Sequence, residues 1–260
     1  MRALRLAGTQ DMSEGIPQAR ERSMPEIIFN GPAGRLEGRF HPAEEPNAPI
    51  ALVLHGHPCF GGTMNNPVPH ALYHMFARKG FAVMRFNFRG VGRSQGFFDN
   101  GAGELADAAA ALDWLQARVP EARTCWLAGV SFGSWISMQL LMRRPEVQGF
   151  LTIAPLARHY DFSFLAPCPT SGLFVNGELD KVTPPDVVEN LVKKLKTQKG
   201  ITITHEVLPG ANHFFENKVD ELIALCSNYL DQRLEEMGII APAAVQLEGP
   251  AEAPEGSAEG

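Results

Sequence analysis

Cysteine is scarce and scattered: Cys59, Cys125, Cys168 and Cys226 are the only four in 260 residues. Their spacing matches no metal-ligand pattern, and they read as reduced, mostly buried thiols of a reducing, cytoplasmic compartment. Long apolar runs are missing too. None approaches the ~18 residues that a membrane span needs. Residues 1–23 mix arginines with acids and hold no stretch long enough for the apolar core of a secretory signal. Positive charge is not in excess. The net charge is −6, and Glu248, Glu252, Glu255 and Glu259 near the C-terminus leave the rest of the chain close to neutral. No basic footprint for nucleic acid results. What is present is apolar material: 45% of the residues are hydrophobic, enough for one large core.

Three stretches divide the chain. Residues 1–23 read as a loose extension, with Met24 as a plausible natural start. Residues 24–237 carry the patterned segments. From 238 to 260 the composition is Ala/Pro/Glu/Gly-rich, unable to bury a core and expected to be disordered.

Within the patterned region, the turn Asn30-Gly31-Pro32 separates two strand-like stretches, an antiparallel hairpin at a sheet edge. From residue 50, short strand-like stretches alternate with helical patterns. The stretches are Ile50–His55, which is almost continuously apolar, Phe81–Phe86, Trp126–Ala128, Phe150–Ala154, Ser171–Asn176 and Ile201–Leu208. Helices are expected over 72–79, 104–119, 132–144, 186–196 and 218–236. Strands without polar alternation are covered on both faces, and strand–helix alternation builds a parallel sheet flanked by helices. The expected fold class is α/β, with about seven or eight strands, an antiparallel N-terminal hairpin, helices on both faces and no large lid.

In such sheets reactive groups gather beyond the carboxyl ends of the strands. Gly129-Val130-Ser131-Phe132-Gly133 sits at one such end, between a strand and a helix. A serine hydroxyl is a poor nucleophile without a neighbouring base and an exposed position, and a sharp strand-to-helix turn supplies the exposure. The same turn leaves the Phe132 N–H free at a helix start. Glycine at 129 and 133 removes crowding around it.

Two further strand ends complete the set. Asp180 lies in Gly177-Glu178-Leu179-Asp180, and His213 in Gly210-Ala211-Asn212-His213. The order Ser131, Asp180, His213 is that of α/β-hydrolases and differs from the order in other serine-hydrolase folds. Glu178 is the rival acid and His205, inside a strand, the rival base. The glycine-rich loop His55-Gly56-His57-Pro58 offers a second oxyanion donor, the His57 N–H, since Pro58 has none.

Competing patterns are incomplete. His55-x-His57, His70 and His74 hint at a metal, but no further ligands finish a shell, so no metal is assigned. Gly90-x-Gly92 hints at a dinucleotide site, but Gln95 stands at the third glycine and turn residues precede the helix. No cofactor is expected.

On His55-Gly56-His57-Pro58, Gly129-x-Ser131-x-Gly133, Gly177-x-x-Asp180 and Gly210-x-x-His213, the chain resembles the α/β-hydrolases over about residues 25–235. The runs Gly61–Asn66 and Phe86–Gly92 resemble a bacterial branch related to dienelactone hydrolases and acyl-peptidase domains. That resemblance implies a serine hydrolase. Dienelactone hydrolases use a cysteine where this chain has Ser131, which points to ester chemistry instead. Only 16 residues, three of them proline, run from Pro155 to Thr170, where relatives insert a helical lid. The site is therefore expected to be open, bounded by Phe60, Phe97, Phe98, His159, Tyr160 and Phe214. A small-molecule ester is the expected substrate, with amide or peptide hydrolysis, or a non-catalytic binding role, as alternatives.

Overall fold

The computed structural model describes residues 26–239; the expected extension over 1–23 and the tail beyond 239 lie outside the described residues. Eight strands form one sheet: β1 (Glu26–Gly31), β2 (Gly34–His41), β3 (Ile50–Leu54), β4 (Ala82–Phe86), β5 (Cys125–Val130), β6 (Val147–Ile153), β7 (Gly172–Gly177) and β8 (Ile203–Leu208). Their order is β1-β2-β4-β3-β5-β6-β7-β8. The β1–β2 hairpin is antiparallel and joins β4 antiparallel through Arg39↔Arg85 and Phe40↔Met84; every other pairing is parallel.

The continuous apolar runs are explained by coverage on both faces. Along β3, Ile50, Leu52 and Leu54 enter one core cluster while Ala51 and Val53 enter the other. Along β5, Cys125 and Leu127 alternate in the same way with Trp126, Ala128 and Val130. A strand puts successive side chains on opposite faces, so both sets must be apolar when both faces are buried. Helices α2 (Ala102–Gln116), α3 (Phe132–Leu141) and α4 (Pro185–Leu195) fill the first face, through residues such as Leu112, Ile136 and Val192. Helices α1 (Pro67–Arg78) and α5 (Val219–Glu236) fill the second, through Leu72, Phe76, Leu222 and Leu230. No helix among the described residues is long and apolar enough to cross a membrane.

Boundaries differ from expectation where proline decides them. α1 begins at Pro67, five residues before the expected Leu72, with Pro67 and Pro69 in its first turn. Proline is tolerated there because its missing N–H is one the first turn cannot pair. α3 ends at Leu141, not Arg144, since Pro145 pushes the residue before it out of helical geometry.

Between the end of β6 and the start of β7 there is one short 3₁₀ turn, Ser163–Leu165, and no lid. The sheet order reverses at β3, whose successor β4 lies on one side and β5 on the other. The loops after β3 and β5 flank that switch point, the place beyond the strand ends where open α/β sheets bind their ligands.

Candidate active site

Ser131 stands at that switch point on a strained backbone, φ 55° and ψ −113°. A non-glycine residue there costs about 1–3 kcal/mol and persists only when its surroundings enforce it. The enforcement is visible in the packing. A methyl group on Gly133 would meet the His55 carbonyl oxygen at 2.4 Å, and one on Gly129 would meet the Gly133 carbonyl oxygen at 2.4 Å. The Ser131 N–H donates to the Ile153 carbonyl at 2.8 Å, and the Ser134 hydroxyl donates to the Ser131 carbonyl at 2.5 Å. The turn is thus clamped from strand and helix together, leaving the Ser131 side chain facing outward.

Three loops bring the remaining groups to it. Ser131 Oγ lies 3.0 Å from His213 Nε2, and His213 Nδ1 lies 2.7 Å from Asp180 Oδ2. A carboxylate only accepts, so the proton sits on Nδ1 and Nε2 is free to accept from the serine hydroxyl. The other oxygen, Asp180 Oδ1, accepts from the N–H groups of Val182 and Thr183, each at 2.8 Å. Asp180 and His213 are both buried, so water does not compete for these bonds.

The acid and histidine loops are locked to each other. The Leu179 N–H donates to the Ala211 carbonyl at 2.8 Å, and the Gly210 N–H donates to Glu178 Oε2 at 2.8 Å. Glu178, the rival acid, is spent on that loop contact. His205 Nε2 is 2.6 Å from Asn176 Oδ1 within the sheet, away from Ser131.

His55, which sequence reasoning weighs only as a metal ligand, has both ring nitrogens taken. Nε2 accepts from the Phe88 N–H at 3.1 Å, so Nδ1 carries the proton and donates to the Gly56 carbonyl at 2.7 Å. The Gly56–His57 peptide is trans. Holding its carbonyl toward His55 turns the His57 N–H the opposite way. The loop passes beside Ser131: a methyl on Gly56 would lie 3.7 Å from Ser131 Cβ. Neither the His57 nor the Phe132 N–H donates to an acceptor among the described residues. The motif His55-Gly56 was the available signal; which group the buried imidazole binds was not readable from it.

Burial holds the His55 imidazole neutral, its pKa lowered to about 4 from 6.5. Unfolding lets it take up a proton anywhere between those values, so the unfolded chain binds more protons in that window. Stability contributed by neutral His55 is complete above about pH 6.5 and is lost as pH falls towards 4. The loss is on the order of 3 kcal/mol. Chemical denaturation at stepped pH measures it, and His55→Gln flattens that part of the profile.

Of the expected pocket residues, three form a wall with His57 and Phe132. The His57 ring lies 4.7 Å from Phe60, 4.9 Å from Phe98 and 4.9 Å from Phe132. Tyr160 meets Phe132 edge-on at 5.7 Å. Phe214 meets the His213 ring edge-on at 5.3 Å, with most of its own surface exposed. Phe97 and His159 come from loops beside this wall but stand exposed, and neither ring takes part in these ring contacts. Trp135 belongs to the wall although it was not expected there; it stacks on Tyr160 at 4.3 Å. Its position four residues after Ser131, one helical turn on, was the only hint.

The glycines of the loop after β4 make turns and no dinucleotide cradle. Gly90 and Gly92 adopt φ of 74° and 56°, and Arg89 beside them pairs with buried Asp107 on α2. Among the described residues, no group of three or more His, Cys, Asp or Glu side chains is placed to hold a metal ion.

Residues 15–211 match the X-Pro dipeptidyl-peptidase (S15) family. The chain belongs to this family of α/β serine hydrolases. A crystal structure of an Agrobacterium tumefaciens protein of unknown function, described as an α/β hydrolase, is 64% identical, with a TM-score of 0.80 over 82% of this chain and 97% of that one. An uncharacterised protein of Rickettsia prowazekii is 51% identical over 80% of this chain and 89% of its own length. A Xanthomonas campestris α/β serine hydrolase described as lacking a lid is 32% identical, with a TM-score of 0.71 over 82% of this chain and 94% of that one. The chain is a hydrolase of a lidless bacterial branch, as the sequence resemblance implied. The family's peptidase name and its uncharacterised members leave the scissile bond to be argued from the site.

Proposed function

We propose that residues 24–237 form a carboxylic-ester hydrolase domain acting through an acyl-enzyme on Ser131. The observation that carries this reading is the continuous relay from Ser131 Oγ through His213 to Asp180, at 3.0 and 2.7 Å. In the first step His213 Nε2 takes the hydroxyl proton as Ser131 attacks the ester carbonyl. Asp180 holds the Nδ1–H tautomer and stabilises the imidazolium that forms. The N–H groups of His57 and Phe132 receive the oxyanion, each worth about 3 kcal/mol by analogy with other oxyanion donors. His213 returns its proton to the leaving alcohol. In the second step it deprotonates water, which cleaves the acyl-enzyme.

Ester chemistry is favoured over dipeptide release by the carboxylates around the site. Release of a dipeptide requires a group that recognises its free ammonium end. Glu104 is fully buried and accepts from the Asp99 and Gly101 N–H groups; Asp180 serves His213; Glu178 holds Gly210; Asp161 accepts from Ser163, Glu216 from the Asn212 side-chain NH2, and Asp99 lies 3.9 Å from the Arg89 guanidinium. The walls are aromatic instead. Peptide or amide hydrolysis by the same residues remains the second reading, supported by the family match. Three buried free thiols fit a reducing, cytoplasmic setting.

The test is a paired panel of 4-nitrophenyl esters of graded acyl length and the 4-nitroanilides of proline-containing dipeptides. The ester reading expects kcat/KM for the best ester to exceed that for any anilide by more than the intrinsic reactivity difference between the two leaving groups. The reverse order transfers the assignment to peptides.

A further inference from the structure

Five large apolar side chains stand in water around the mouth of the site. Phe97 is 90% exposed, Phe60 84%, Phe214 65%, Leu179 56% and Val182 36%. They come from four different loops, after β4, β3, β8 and β7 respectively, the last of these carrying both Leu179 and Val182. The only other exposed large apolar residues among those described are Ile28 and Val207, in strands. Exposed phenylalanines concentrated on one face of a protein ask for something to cover them.

The sheet order places these side chains on both sides of the nucleophile. Phe60 and Phe97 lie on the β3–β4 side of β5, and Leu179, Val182 and Phe214 on the β7–β8 side. Five strand spacings separate β4 from β8, roughly 24 Å at the usual interval. One acyl chain leaving the ester carbon runs in a single direction and covers one side only. A second protein molecule seated on the whole rim would close off Ser131. A fluid lipid surface covers both sides at once and delivers ester to the serine. Charge points to the kind of surface. On the loops after β4, β6, β7 and β8, exposed Arg93, Arg158 and Lys181 and partly exposed Lys218 stand against exposed Asp99, Asp161, Glu178 and Glu216. The face has no net sign to attract an anionic membrane.

We propose that this apolar rim seats the enzyme on net-neutral lipid surfaces and that its substrates are acyl esters held in them. The substrate half rests on the ester-hydrolase reading above; the seat does not. The experiment is co-sedimentation of the Ser131→Ala protein with phosphatidylcholine vesicles, at low and high salt. The inactive variant keeps binding separate from turnover. Binding is expected at both salt levels, because burial of apolar surface is not screened. Phe97→Ser combined with Leu179→Ser lowers the partition coefficient roughly tenfold or more, at an unchanged thermal midpoint. Several outcomes overturn the seat: no binding to these vesicles, binding that the double variant retains, or binding only to anionic vesicles and lost in salt. Self-association that the double variant abolishes also overturns it, by assigning the rim to a second copy of the chain. Turnover of soluble esters without vesicle binding removes the seat and leaves the hydrolase reading intact. Vesicle binding without turnover of any ester removes the hydrolase reading and the substrate half with it.

Discussion

Ser131→Ala is expected to hydrolyse esters about four to six orders of magnitude more slowly than the unaltered protein, with its stability unchanged within about 0.5 kcal/mol. The large number follows from the loss of the covalent path: without an attacking oxygen His213 has no proton to move, and only binding and the oxyanion donors remain. The small number follows from the position of the side chain. The hydroxyl contacts His213 and supports no core packing, and alanine keeps the Cβ that φ 55° must already accommodate. Asp180→Asn is expected to cost roughly 10⁴-fold in kcat by favouring the wrong imidazole tautomer. Because Asp180 Oδ1 also binds the Val182 and Thr183 N–H groups, the asparagine must place its carbonyl there and its NH2 toward Nδ1. Two donors then face each other, which is why the effect falls on kcat. Steady-state kinetics beside thermal melts of both variants checks the pair of expectations.

Arg89→Leu is expected to destabilise the fold by about 3–5 kcal/mol. Arg89 Nε and Nη2 meet Asp107 at 2.9 and 2.8 Å, and the Arg89 N–H meets the same carboxylate at 3.1 Å. Asp107 is fully buried on α2, so removing the guanidinium strands a charge in the core. The fork also occupies the space above Gly103, where an added methyl would sit 2.1 Å from the guanidinium. It therefore pins the loop after β4, which carries Phe98 of the aromatic wall, to the start of α2. Combining Arg89→Leu with Asp107→Leu restores much of the loss, since a buried pair replaced by apolar groups of similar volume is often neutral. Urea unfolding of the two single variants and the double variant measures the coupling. Single substitutions costing under about 1 kcal/mol would mean that the pair is solvated and the loop held by other contacts.

Much of this architecture was legible because apolar runs without polar alternation have one economical explanation, burial on both faces. β3 and β5 bear that out residue by residue, splitting their side chains between the two clusters. The order Ser131, Asp180, His213 was legible because each residue follows its own strand, and parallel strands end on one side of a sheet. Less was readable where a residue acts through a partner remote in sequence. His55 binds the Gly56 carbonyl and the Phe88 N–H, 33 residues away, and no local pattern names that second contact. Trp135 joins the wall through Phe132, 5.9 Å away on the same helix, and through Tyr160, whose loop folds back over α3 and is remote in sequence. Phe97 and His159 were expected to bound an open site if their loops face it; both side chains stand exposed, and nearness in the chain leaves the contacts of such side chains undetermined. α1 was underestimated because its first turn is built from prolines, which periodicity counts as breakers and helix geometry accepts.

The central claim is that Ser131, and no other residue, becomes the attacking oxygen. Reaction of the intact protein with a fluorophosphonate, followed by peptide mass mapping, tests it most directly. One phosphonyl group per chain on the peptide containing Ser131, absent in Ser131→Ala and strongly slowed in His213→Ala, is the predicted result. A label on another residue, or equal labelling of the Ser131→Ala protein, would contradict the account.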